Sequence, residues 1–208
     1  MTEYRIKSTG ELVNEKGLKQ AFPETAICFT DLGSMADLVI ATPIPVPTSE
    51  LRVVLRDGVA LDAQGNWAEA WKEMDRYTDI PGGFTQEEQE TSYLTTLNQQ
   101  KVDMKLEELA ALRFEKETGG LLFGGTTIRT DRETQAVITG AYVKAKEDAN
   151  RSVLFKGESG WVEIDSPTMI QLGTAIDAHV QACFRREGEL AVLVNIDPET
   201  DITTGWPV

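Results

Sequence analysis

His179 and Cys183 stand four residues apart in a stretch with helical periodicity, so one helix face would present an imidazole and a thiol together. That is half of a metal site, and no neighbouring Cys or His completes it. His179 is the only histidine, which removes multi-histidine centres and leaves any Ser/His triad resting on one base. Cys28 would have to arrive from the other half of the chain. The favoured reading is a structural histidine, partly buried at the polar edge of an apolar stripe. The pairs Gly119-Gly120 and Gly124-Gly125 flank Leu121, Leu122 and Phe123 and invite comparison with a phosphate loop, but no Gly-Lys-Ser/Thr follows. Asp57, Asp62 and Asp75 fall in expected turns and offer single Ca²⁺ ligands without the spaced loop of an EF-hand. The 34 acidic residues supply carboxylate pairs for glycan hydrolysis only by abundance. The residues therefore nominate no catalytic, cofactor-binding or metal position, and the chain reads as a non-enzyme without a cofactor.

Composition sets the class. A chain of 208 residues, 41% hydrophobic, buries a core and divides into one or two small domains. A formal net charge of −14 disfavours phosphate backbones and anionic membrane surfaces, which need clustered Lys and Arg. Neither a membrane-length apolar run nor an N-terminal apolar leader segment is present. The expectation is therefore no nucleic acid, no membrane insertion and no secretion. Cys28 and Cys183 form no CxxC pair and are expected to be buried free thiols.

The elements that would position these residues give an α+β chain. A small N-terminal β-rich region, 1–41, should hold strands at 4–7 and 25–29 with a brief helix or turn over 14–22 ended by Pro23. A Pro-rich linker, 42–50, follows. Pro43, Pro45 and Pro47 at alternate positions stiffen it, as an interdomain spacer or as an arm laid along a neighbouring subunit. A β-hairpin module, 51–80, pairs 51–56 with 66–74 through turns at Asp57-Gly58 and 62–65. It puts Trp67 and Trp71 on one face, as core or as a docking surface.

A long helix, 81–118, opens at a capping box from Thr85 to Glu88 and runs to Glu117, about 33 residues and about 50 Å. Leu94, Leu97 and Met104 make a sparse first stripe broken by Lys101. Val102, Leu106, Leu109 and Arg113 make a second, with Leu112 alongside. Either the front half self-associates as a short coiled coil, a trimer being favoured, or the helix frays or bends before Lys101.

The region 119–208 should be an α+β domain of helices and two β-hairpins. Gly119 and Gly120 stop the long helix, and Gly124 and Gly125 reverse a hairpin. Thr130 and Glu133 fit a capping box for a helix from Asp131 with Val137, Ile138, Ala141 and Ala145 on one face. A second hairpin joins 153–155 to 161–164. Ser166-Pro167 caps and starts the last helix, whose stripe is Met169, Leu172, Ile176, Val180, Cys183 and Phe184. Trp206 anchors the tail on its own domain or on a neighbour.

The block 113–140, the hairpin 154–162 and the segment 179–187 together resemble a C-terminal domain of unknown function found in tail proteins of tailed bacteriophages. The ending 201–207 resembles the end of such proteins, and 53–75 a hairpin that often precedes the domain. The stretch between Glu187 and Gly205 is shorter here. The resemblance implies a structural component of a phage tail, in the baseplate or tail-fibre region, that oligomerises and links or anchors fibre to tail. Its partners would be other tail or fibre proteins and copies of itself. It would be made in the host bacterial cytoplasm and located in the virion tail. Interface candidates are Pro43, Pro45, Pro47, Trp67, Trp71, Leu94, Leu97, Met104 and Trp206. The alternative is a fibre-assembly chaperone absent from the virion, and more remotely a glycan hydrolase.

Overall fold

The computed structural model describes residues 2–157 and 160–207 and divides them into two compact units, 1–92 and 93–208. In the first, β1 (Glu3–Ile6) pairs antiparallel with both β2 (Leu12–Asn14) and β3 (Ala36–Val39), giving the order β2-β1-β3. Strand alternation sends Tyr4 and Ile6 inward onto Leu18, Leu32 and Ala36. Leu18 comes from α1 (Glu15–Ala21), where the Asn14 side chain caps by accepting from the Gly17 N–H at 2.9 Å. The strand expected over 25–29 does not form. Only an isolated Cys28–Asp31 bridge stands there, because Pro23 and successive turns leave too short a run to pair, and β2 and β3 take its place in the sheet. Cys28 is correspondingly exposed, not buried.

The hairpin β4 (Arg52–Leu61) and β5 (Trp67–Asp75) forms with one turn, at 62–65. Asp57-Gly58, expected as a second turn, is instead a bulge inside a continuous β4, where the register shifts between Arg56 and Val59 and Gly58 takes φ +78°. Ile40 pairs with β5 at Ala68, which ties the sheet to the hairpin.

Helix α2 (Gln86–Thr118) opens with the reciprocal box foreseen: Glu88 accepts from the Thr85 N–H at 2.8 Å, and the Glu88 N–H donates to the Thr85 hydroxyl at 3.2 Å. Gly120 at φ +108° ends its path, and β6 (Leu121–Phe123) turns through Gly124 and Gly125, at φ +58° and +82°, into β7 (Thr126–Ile128). Then come α3 (Arg132–Glu147), β8 (Ser152–Gly157), β9 (Gly160–Asp165) and α4 (Ser166–Ile196). Glu158 and Ser159, in the expected hairpin turn, lie outside the described residues. Among the described residues the second unit holds most of α2, with α3, α4 and two hairpins, and the chain is α+β.

Both expected caps in this unit move by one residue. Asp131, not Thr130, caps α3 by accepting from Thr134, and Asp165, not Ser166, caps α4 by accepting from Thr168, both at 2.9 Å. Thr130 and Ser166 are buried, so their hydroxyls serve the interior. Ser166 lies within hydrogen-bonding distance of the Asp148 and Arg151 carbonyls. The N–H and hydroxyl of Thr134 hold the Asp131 carboxyl below the usual 3.8, and the hydroxyl and N–H of Thr168 do so for Asp165. A depressed carboxyl contributes stability above its unfolded value and loses it as pH falls through the folded value. Helix content should hold at neutral pH and decline below pH 3.8. Because Asn caps nearly as well but does not titrate, Asp131→Asn/Asp165→Asn should flatten that decline at little cost near neutral pH. Circular dichroism of both proteins, followed from neutral pH down to about pH 2, checks this.

The second unit has two apolar centres. Ile138, Ala145, Met169, Leu172 and Ile176 join α3 to α4 beneath the hairpins, while Val102, Leu109, Leu190, Val194 and Ile202 join α2 to the distal half of α4 and the tail. Val137, expected on the buried face of α3, is 56% exposed, since Ile138 takes that face. Phe184 is also outside the buried stripe. It lies under the Arg113 guanidinium at 4.6 Å.

Helices α3 and α4 approach closely at Gly173, where a Cβ would stand 2.7 Å from the Tyr142 ring. Gly173→Leu should destabilise by about 1–3 kcal/mol through overpacking. The loss should shrink in a Tyr142→Ala background, as a double-mutant cycle of melting curves would show.

Candidate functional site

The densest polar constellation forms where α2 ends, α3 begins and α4 passes. Glu117 is fully buried at the last turn of α2. One carboxylate oxygen accepts from the Arg113 guanidinium one turn earlier. The other lies 3.1 Å from Arg132 Nη2 and 3.3 Å from Gln135 Nε2, both on the first turns of α3. The i,i+4 spacing sets the first contact, and the glycine-bounded reversal through β6 and β7 brings back the other two. Arg113 also donates from Nε to Glu187 of α4 at 3.2 Å. Three helices thus converge on one ion network whose centre is shielded from water.

Backbone groups complete it. The Thr130 hydroxyl donates to the Glu117 carbonyl at 2.6 Å and accepts from the Gly120 N–H at 3.0 Å, while Gln135 Nε2 donates to the Thr130 carbonyl at 2.6 Å. Thr130 therefore satisfies a free carbonyl at the end of α2 and the donor that follows it.

His179 belongs to the same junction. It is 6% exposed, more buried than its sequence position suggested, because the last turn of α2 packs over it. Nε2 lies 3.1 Å from the Lys116 carbonyl, so the tautomer protonated at Nε2 donates to that helix end. Nδ1 is buried without a partner among the described residues. Cys183 Sγ is 3.9 Å from Nε2, and burial, then the nearby Glu117 charge, pushes its thiol up from the ordinary value. The arrangement keeps the thiol protonated and the imidazole engaged with backbone, which suits support of a helix end. Among the described residues no group of three or more His, Cys, Asp or Glu is placed to hold a metal ion.

The interface candidates lie elsewhere and do not converge. Pro43, Pro45 and Pro47 belong to an extended arm pinned at both ends. The Thr42 N–H donates to the Glu69 carboxylate at 3.1 Å, and the Thr48 hydroxyl donates to Glu73 at 2.8 Å. Trp71 Nε1 donates to the Thr42 hydroxyl at 2.8 Å, and Arg5 stacks on Trp67 at 4.0 Å, so both indoles are half-buried within their own unit. On α2, Leu94 and Met104 are exposed and Leu97 is half-buried. Trp206 packs on the Leu109 cluster and donates to the Ile202 carbonyl at 2.8 Å.

Sequence reading gave Glu117, Arg132, Gln135 and Glu187 no joint role. The available signals were the i,i+4 pair Arg113 and Glu117 and the polar residues flanking the Gly-Gly reversal. No helix among the described residues is long and apolar enough to cross a membrane. The family model described as a domain of unknown function (DUF4376) matches residues 99–204, just over half of the chain. Neither a curated protein nor a solved structure matches it.

Proposed function

The chain belongs to the DUF4376 family, and from that premise we propose that it is a non-enzymatic structural component of a bacteriophage tail. It oligomerises there and links or anchors fibre to tail. The observation that carries this reading is the character of α2. From Gln86 to Lys101 no side chain is buried, yet Leu97 and Met104 recur on a side remote from Val102 and Leu109, with exposed Leu94 between the two sides. A helix with one face committed to its own core and a second apolar stripe outside it suits assembly with other chains. The tail setting draws its support from the resemblance of 113–140, 154–162 and 179–187 to the phage tail domain. Acidity favours protein partners over nucleic acid, and the polar centre around Glu117 is occupied in joining helices.

The test pairs light-scattering mass of the purified chain with mass-spectrometric detection in purified particles. A stable oligomer present in particles is the expected result. A monomer absent from particles would overturn it in favour of a fibre-assembly chaperone.

A further inference from the structure

Among the described residues β4 and β5 form a two-stranded sheet, so each has one edge with no further strand along it. Such an edge is a template on which another chain can add a strand. At the two ends of β5, Asn66 and Arg76 bond to β4, so even-numbered residues turn their main chain toward β4. Odd-numbered ones, Glu69, Trp71 and Glu73 among them, turn theirs to the open side. A parallel ladder begins on that side. The Ile40 N–H donates to the Trp67 carbonyl at 2.8 Å, and the Glu69 N–H donates to the Ile40 carbonyl at 3.0 Å. At Thr42 a side chain takes over, its hydroxyl donating to the Glu69 carbonyl at 3.1 Å. Beyond it Pro43, Pro45 and Pro47 carry no N–H, and among the described residues the main chain of 43–47 makes no hydrogen bond. Side chains nevertheless keep this arm beside the strand: Glu69 and Trp71 hold Thr42, and Glu73 holds Thr48. Register is lost on the way. Continued from Ile40 and Ala68 it would set Thr48 opposite Arg76, whereas Thr48 is tied to Glu73. The extended arm from Thr42 to Thr48 spans about 19 Å and the strand from Glu69 to Glu73 about 13 Å, so the arm bows away from ladder positions.

We propose that the arm 43–47 is an edge guard: it occupies the open side of β5 without offering a ladder of its own, and so keeps the hairpin from pairing strand to strand with another chain. Its composition suits that task. Ile44 and Val46 are strong strand formers, and the prolines on either side hold them out of a strand. The outer edge of β4 is interrupted by other means, since the bulge at Gly58 breaks its run. Both edges of the longest hairpin are thus spoiled for pairing. The guard lies wholly in the first unit and is independent of any association through α2.

The experiment compares the full wild-type chain with Pro43→Val/Pro45→Val/Pro47→Val, which returns three N–H donors to the arm. The readings are amide exchange by NMR and light-scattering mass over a concentration series. In the wild type the Trp71 and Glu73 amides should exchange at least about tenfold faster than the Glu69 amide, which is bonded to Ile40. In the variant the arm should zip onto β5 and become a regular edge strand. Those two amides should then slow by about tenfold or more, and the mass should climb above that of the wild type as concentration rises. Wild-type amides of Trp71 and Glu73 as protected as that of Glu69 would mean that the ladder already continues, and would overturn the guard. So would a folded variant that keeps the wild-type mass at every concentration. Should the triple variant not fold, Pro45→Val alone carries the same two readings at smaller amplitude, with the same outcomes for and against.

Discussion

Leu109→Asp unfolds the second unit at room temperature. Leu109 is 1% exposed and sits among Val102, Leu190, Val194 and Ile202, with Leu106, Leu112 and Trp206 around the rim. Removing the isobutyl group forfeits about 1.5–3 kcal/mol of apolar burial. Placing a carboxylate there adds several kcal/mol, since the side chains packed around it are apolar and Arg113, one turn on, is already paired with Glu117 and Glu187. A domain of this size holds about 5–15 kcal/mol in total, so the sum exhausts most or all of the margin. Leu109→Ala, which leaves a cavity and no charge, should cost about 2–5 kcal/mol and remain folded at reduced melting temperature. Far-UV circular dichroism at room temperature and melting of the two variants check the pair. A Leu109→Asp variant that melts with the wild type would show that α2 does not pack as described.

The same contrast between apolar and polar signals explains what was legible in the sequence. The second seam of α2, the Gly124-Gly125 reversal and the stripe from Met169 to Cys183 could be read because helical spacing and positive φ leave marks on neighbouring residues. Cap positions were off by one because Thr130-Asp131 and Asp165-Ser166 each place two good capping residues side by side. Burial, which local sequence does not show, decides which of them faces the helix end. The bulge at Gly58 looked like a turn because Asp-Gly serves both, and only the partner strand's continuity distinguishes them. Strand β3 lacked turn-bounded alternation, so its pairing to β1 was set by tertiary contact with Tyr4 and Ile6. The polar junction was the least legible part. Arg113, Arg132 and Glu187 come from three helices, and an isolated Arg or Glu on an amphipathic helix reads as solvated surface unless its partners are known.

That junction gives the second large effect. Glu117→Ala should destabilise the unit by about 3–5 kcal/mol. The largely buried guanidinium of Arg113 loses its closest partner, and the amide of Gln135 loses one acceptor. Glu117→Gln keeps the shape and one acceptor oxygen but no charge, so its loss should be smaller yet still measurable by chemical denaturation. The informative variant is Arg113→Met/Glu117→Leu, which replaces the pair with apolar side chains of similar volume. If the ions are held there to fix how α2, α3 and α4 meet, and not for net stability, the double variant should recover most of what Glu117→Ala loses. It should do so while leaving Glu187, already partly exposed to solvent, able to hydrate. The additional signature is in packing: the recovered protein should show weaker near-UV circular dichroism and weaker amide-exchange protection at 113–135 than the wild type. Equal losses in the single and double variants would mean that the network is a stabilising element in its own right and that its charges, not its geometry, hold the three helices together.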